Sequence, residues 1–249
     1  MRLDDRIAIV TGAGRNIGEA IARRLAAEGA RVAVVDLDGA AARAVADAIH
    51  ARHPERALPL VADVAVLADV QRVVRATVAR WGGIDILVNN VAITDRKPIL
   101  ELELEEWERV LRVSLTSQFL CSKYAAQQMV AQGRGGRIIN IASTSGHRGR
   151  PDATAYTAAK AGVLNLTRSL AIQLAPYGIR VNSVTPNRIG SPVGEAVVPA
   201  NRPVKNLVGR NGVPEDVAAA VAFLASAEAD FITGTDLLVD GGALTIGGP

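Results

Sequence analysis

Arg6-Ile7-Ala8-Ile9-Val10-Thr11-Gly12-Ala13-Gly14-Arg15-Asn16-Ile17-Gly18 is the stretch whose reading decides the fold. Its first half, Arg6–Thr11, is a short run of Ile, Ala and Val, apolar in succession as strands covered on both faces are. Its second half turns at glycines. Beyond it Ile17, Ile21 and Leu25 recur at helical spacing, which predicts a helix over Asn16–Glu28. A strand that runs through a glycine turn into a helix presents free N–H groups and a positive dipole end, a place where a pyrophosphate binds. Glycines alone are a weak signal, because many turns need them only for their backbone.

The same alternation continues outward. Short runs rich in Val and Ile predict strands at Arg31–Asp36, Ala57–Val61, Ile84–Asn89, Gly136–Ser143, Arg180–Thr185 and Asp236–Val239. Helical spacing falls between them, over Gly39–His50, Ala68–Trp81, Leu104–Gln132, Thr154–Tyr177 and Pro214–Leu224. Repeated strand–helix units predict an α/β chain, a Rossmann-type doubly wound parallel sheet of about seven strands with helices on both faces. No linker or low-complexity segment divides it, so residues 1–249 read as one domain. Residues 187–213 break the regularity; that irregular insertion carries Pro192, Pro199 and Pro203 and reads as a substrate lid.

Composition narrows the function. With 49% hydrophobic and 21% charged residues, the 249-residue chain is not a disordered one. A net charge of +3 with scattered arginines and 3% aromatics argues against a nucleic-acid partner. The lone Cys121 rules out an internal disulfide framework, and His50, His53 and His147 lack metal-ligand spacing, so no metal is expected. No stretch suits a membrane span, and Met1–Arg6 is too polar for a signal peptide; the cytoplasm is the expected compartment.

Two further features point to a dinucleotide. Asp36 ends the second strand 18 residues after Gly18, where a carboxylate accepts hydrogen bonds from a ribose diol. It would repel the 2′-phosphate of NADP, whereas Arg15 would attract it. Asp36 is given more weight, so NAD is expected and NADP remains open. Tyr156 and Lys160 stand four apart on one helix face, and a nearby ammonium moves a phenol from its ordinary pKa of about 10 toward use as a base. Ser143 lies 13 residues before Tyr156, at the end of the fifth strand.

With these motifs in order, the sequence resembles the short-chain dehydrogenase/reductase family in its compact form. The likeness runs through Thr11–Gly18, Asp63-Val64, Asn89-Asn90, Ser143, Tyr156 with Lys160, Pro186–Ser191, Pro214-Glu215-Asp216, Thr233-Gly234 and Val239-Asp240-Gly241-Gly242. It implies that Tyr156 exchanges a proton with the substrate oxygen, that Lys160 lowers the Tyr156 pKa and holds the nicotinamide ribose, and that Ser143 hydrogen-bonds the reacting oxygen. Gly12, Arg15, Asn16, Ile17 and Gly18 would face the cofactor, with Asp36 and Leu37 at its adenosine end. Asp63 and Val64 would meet the adenine, Asn90 and Ala92 the ribose side, and Pro186, Ile189 and Ser191 the nicotinamide. The implied reaction passes hydride between nicotinamide and a secondary alcohol or ketone, and homotetramers are the family's assembly.

The chain departs from the family pattern in four places. Asn16 replaces a glycine and Asn187 another, and both tolerate a left-handed backbone. Val91-Ala92 adds bulk beside the cofactor. Ser114 stands where the family has an Asn thought to hold a water in a proton relay from Lys160; activity is expected to persist with a second water filling the gap.

The loops after strands four, five and six carry Arg96, Lys97, Arg148, Arg150, Arg188, Arg202 and Lys205 against Asp95, Asp152 and Glu195. That excess reads first as a solvated charged surface, with an anionic substrate as the sharper alternative. A nucleotide-binding regulatory protein without turnover is the rival from another class; the intact Ser143, Tyr156 and Lys160 speak against it.

Overall fold

The computed structural model describes residues 1–189 and 204–246. Its strands are β1 (Ile7–Thr11), β2 (Arg31–Asp36), β3 (Ala57–Val61), β4 (Ile86–Asn89), β5 (Gly136–Ile141), β6 (Ile179–Pro186) and β7 (Asp236–Val239). All neighbours pair parallel, in the order β3-β2-β1-β4-β5-β6-β7. The helices are α1 (Asn16–Ala27), α2 (Gly39–His50), α3 (Leu67–Trp81), α4 (Leu104–Leu111), α5 (Ser117–Gln132), α6 (Thr154–Leu174) and α7 (Pro214–Ala225).

The period of two along each strand sorts the core into two layers. Ala8, Val10, Val32, Val34, Ile86 and Val88 pack against Ile21 and Leu25 of α1, Val45 of α2 and Val221 of α7. Their neighbours Ile9, Ala33, Val35 and Leu87 face the other way, onto Val70 and Val73 of α3 and Ala125 and Met129 of α5. Each fully buried Ile or Leu contributes about 1.5–3 kcal/mol, which is why strands this short are stable only with both faces covered.

The chain winds from β1 through β2 to β3 on one side and from β4 to β7 on the other. The direction of winding changes between β1 and β4, and the crevice at the carboxyl ends of those strands is where such sheets bind ligands. A polar row runs along that edge, because Asn89, Asn140, Ser183 and Asp236 stand opposite one another on β4, β5, β6 and β7. The Asn89 amide donates to Asn140 Oδ1 at 2.8 Å and to Ser122 Oγ at 2.9 Å, and Ser183 Oγ donates to Asp236 Oδ1 at 2.6 Å. These bonds satisfy polar groups that would otherwise be buried without partners.

One expected element differs. The continuous helix over Leu104–Gln132 is interrupted by a π turn at Arg112–Thr116. Inside it, Ser114 Oγ accepts the Ile93 N–H at 3.0 Å and donates to the Ile93 carbonyl at 2.8 Å. The hydroxyl thus ties the helix to the loop after β4, and a wide turn accommodates the tie. The shorter discrepancies lie at element ends, where the expected Thr154–Tyr177 helix closes in a 3₁₀ turn at Ala175–Tyr177. Pro192, Pro199 and Pro203 of the expected lid lie outside the described residues. At the insertion's base Ile189 and Gly212 form a parallel bridge.

Candidate active site

The glycine turn builds the first half of the site. Gly12 adopts φ +61°, and a Cβ on Gly18 would lie 1.9 Å from the Gly12 carbonyl oxygen, so neither position tolerates a side chain. Asn16 carries the left-handed backbone at φ 51° as expected. The second expectation of this kind is corrected: positive φ falls on Arg188, at 45°, and not on Asn187. The Thr144 hydroxyl donates instead to Asn187 Oδ1 at 3.0 Å, joining the loops after β5 and β6.

A cavity of about 690 Å³ opens over this turn. Gly12, Arg15, Asn16, Ile17 and Gly18 line its α1 end, and no side chain caps that helix, so its first amides remain available to an anion. Asp36, Leu37, Asp63 and Val64 line the far wall. Asp36 is held from two sides: the Gly14 N–H donates to Oδ2 at 2.8 Å and the Asp38 N–H to Oδ1 at 3.0 Å. Each oxygen keeps further acceptor capacity, which a diol could use. Leu37 is 71% exposed at the rim, an apolar surface of the kind a purine covers. These residues fit a dinucleotide.

Asn90 and Ala92 line the same wall, but the Asn90 amide has its own work. It donates to the Thr11 carbonyl at 3.1 Å and the Gly12 carbonyl at 3.0 Å, fixing the glycine turn from β4. Ile189 is buried in the core beside Gly212, which leaves its main chain rather than its side chain for any ligand contact. Ser191 lies outside the described residues. Arg109 and Arg112 also line this cavity, and sequence spacing had not singled them out.

The second half of the site lies under the loops after β5 and β6. Ser143, Tyr156 and Pro186 line a cavity of about 470 Å³, and Thr94 borders both cavities. The loop after β5 presses so close to α6 that a Cβ on Gly146 would lie 2.8 Å from the Lys160 carbonyl. Ser143 and the Tyr156 ring thus face one cavity, and the Ser143 hydroxyl also accepts the Ser145 N–H at 3.1 Å. His147 anchors the loop's far end, its Nε2 2.8 Å from Asp236 Oδ2 at the start of β7. The start of α6 is fixed from β4, because Asp95, itself buried, accepts the Ala155 and Tyr156 N–H groups at 2.9 Å each.

Lys160 is 1% exposed and donates to the Ile141 carbonyl at 2.6 Å, with Nζ 5.7 Å from the centre of the Tyr156 ring. Burial pulls its ammonium down to about 7. Burial also pushes the Tyr156 hydroxyl above its ordinary range, while the Ser143 hydrogen bond and the charge of Arg150 draw it back. The influences opposing burial thus come from Ser143 and Arg150, whereas the sequence pointed to Lys160. Ser114 has its proton and one lone pair engaged by Ile93, which ties it to the loop after β4. Cys121 packs under the sheet, where burial raises its thiol to about 12 and keeps it unreactive.

Among the described residues no cluster of His, Cys, Asp and Glu suits a metal ion, and no helix is long and apolar enough to cross a membrane.

Comparison with known proteins agrees with this geometry. A family model described as enoyl-(acyl carrier protein) reductase matches residues 12–244. The chain is 42% identical to a cis-4-hydroxycyclohexanecarboxylate dehydrogenase of Sinomonas cyclohexanicum, covering 96% of each chain. It is 38% identical to a sorbitol dehydrogenase of Cereibacter sphaeroides, covering 97% of this chain and 98% of the relative. A crystal structure of a short-chain type dehydrogenase/reductase from Mycobacterium marinum superposes with a TM-score of 0.91 at 38% identity, over 97% of this chain and 96% of that one.

Proposed function

The chain belongs to the short-chain dehydrogenase/reductase family, and from that premise we propose that it is an NAD-dependent oxidoreductase interconverting a secondary alcohol and a ketone, with Tyr156 as acid and base. The observation that carries this reading is that Ser143 and Tyr156 line one cavity, which shares Thr94 with the cavity over the glycine turn.

Bound NAD would supply the acceptor for the hydride leaving the alcohol carbon, or NADH its donor in the reverse direction. The chain's own residues handle the oxygen. In reduction the Tyr156 hydroxyl, kept protonated by burial, gives its proton to the substrate oxygen as the carbonyl becomes an alcohol; in oxidation it takes that proton back. Ser143 donates a second hydrogen bond to the same oxygen and holds it at the phenol. Lys160, beneath the Tyr156 ring, offers its ammonium to the nicotinamide ribose. The uncapped α1 terminus holds the pyrophosphate, and Asp36 takes the adenosine diol.

Asp36 supports NAD over NADP because both of its oxygens are anchored at the strand end, while Arg15 extends from a turn. The relatives' names, a hydroxy acid dehydrogenase and a polyol dehydrogenase, support a CH–OH substrate. Exposed Phe119 on α5 and Ile172 on α6 support self-association into a homotetramer. The test is a panel of alcohols and ketones followed by the absorbance of reduced nicotinamide. Turnover of secondary alcohols or ketones is expected; its absence with both NAD and NADP would refute the reading.

A further inference from the structure

We propose that the substrate carries an acidic group, a carboxylate or its like, received by Arg150 and Lys205 at the cavity over Tyr156. The inference rests on the proposed function, since it assigns the substrate class of that same site.

The loop charges are sorted, not scattered. Arg148, Arg150, Arg188 and Lys205 all line the cavity that holds Ser143 and Tyr156, and Asp152 is the single carboxylate among its described lining residues. That carboxylate pairs with Arg150 at 3.2 Å, and Lys205 makes no ion pair among the described residues. Two charges of the loop after β4 are drawn elsewhere. Lys97 pairs with Glu106 at 2.9 Å, away from the cavity, and Asp95 is buried beneath it, engaged by the amides of α6. A concave surface lined by one sign of charge focuses its field on the enclosed volume and draws in ligands of the opposite sign.

The cations also lie where an anion would help orientation. The reacting oxygen is fixed at Tyr156 and Ser143, and a second anchor at the substrate's far end aligns its carbon without adding to the chemistry at the oxygen. Arg150 suits that task because its planar guanidinium meets a carboxylate through two parallel hydrogen bonds. It stands close enough for its charge to act on Tyr156. Lys205 is exposed, lines the cavity and makes no ion pair among the described residues, so we place it as the second anchor for the acid. A volume of about 470 Å³ suits a small acid of one ring or a short chain.

The experiment uses the full chain with NADH present and compares benzoate with benzamide, equal in shape and different in charge, by titration calorimetry. Benzoate is expected to bind at least about tenfold tighter, as a charge-assisted pair implies. That ratio should fall toward one in Arg150→Gln/Lys205→Gln and with rising salt, and Lys205→Glu should reduce it further. Both side chains are exposed, so the fold should survive, and thermal unfolding checks that it does. Benzoate that fails to bind, binds no tighter than benzamide, or keeps its advantage in the double variant overturns the proposal. Ketone turnover is read separately: turnover without the benzoate preference leaves hydride transfer standing and removes the acid. Benzoate preference without turnover of any ketone does the reverse.

Discussion

The buried carboxylate of Asp95 accepts the backbone N–H of Tyr156 at 2.9 Å, across 61 residues of chain. Its other oxygen takes the Ala155 N–H, so a residue of the loop after β4 fixes the first turn of the helix that bears the phenol. Asp95→Ala removes two charge-assisted bonds and is expected to cost about 2 kcal/mol or more in denaturant unfolding. A phenol displaced by a fraction of a turn should lower kcat about 100-fold. NADH affinity should hold, because the adenosine wall is built elsewhere. Asp95→Asn keeps one oxygen and should restore part of kcat.

Gly146 sets how near Ser143 comes to α6. In Gly146→Ala the new methyl meets the rigid backbone carbonyl of Lys160 at 2.8 Å, and the loop must lift. Displacement of Ser143 from the cavity it shares with Tyr156 should lower kcat by about 10- to 100-fold, the range for a misplaced oxygen-binding donor. Steady-state kinetics with a fluorescence titration of NADH separate this from weaker cofactor binding.

Much of this was legible in the sequence. Ile7–Thr11 and Arg31–Asp36 could be read as strands because each is apolar on both faces, and Asn16 could be assigned a left-handed turn because few other residues tolerate one. The roles of Asp95 and Ser114 were not legible. Asp95 reads as one more loop charge until the fold brings α6 to it, and nothing in Leu104–Gln132 breaks a helix, since the π turn accompanies the tie between Ser114 and Ile93. The convergence of Arg148, Arg150, Arg188 and Lys205 likewise exists only once β5 and β6 lie side by side.

The proposed preference for NAD rests on Asp36. Wild-type protein should show kcat/KM at least about tenfold higher with NAD than with NADP, because the carboxylate repels a 2′-phosphate. Asp36→Asn removes the charge yet leaves an oxygen for the Gly14 N–H, and should narrow the ratio to a few-fold. Equal kcat/KM for the two cofactors in wild type would contradict this assignment.

Lys160 links stability to pH. Burial holds its folded pKa at about 7, below the unfolded value of 10.5, so between these the unfolded chain binds more protons. Stability contributed at this site therefore rises with pH from about 7 to 10.5, by at most about 1.4 kcal/mol per unit. Below pH 7 both states are charged and the slope vanishes. Tyr156, raised in the folded state, acts in the opposite sense above its ordinary value, which limits the window from above. Unfolding of wild type and Lys160→Met across pH 6–10 should show the rise in the first and its loss in the second.

The most direct measurement compares wild type with Tyr156→Phe, reading ketone reduction by absorbance and NADH binding by fluorescence on the same samples. Loss of the one hydroxyl should cut kcat by about 10²–10⁴-fold while NADH binds as before. A phenylalanine variant that reduces ketones at the wild-type rate would show that the proton comes from another group.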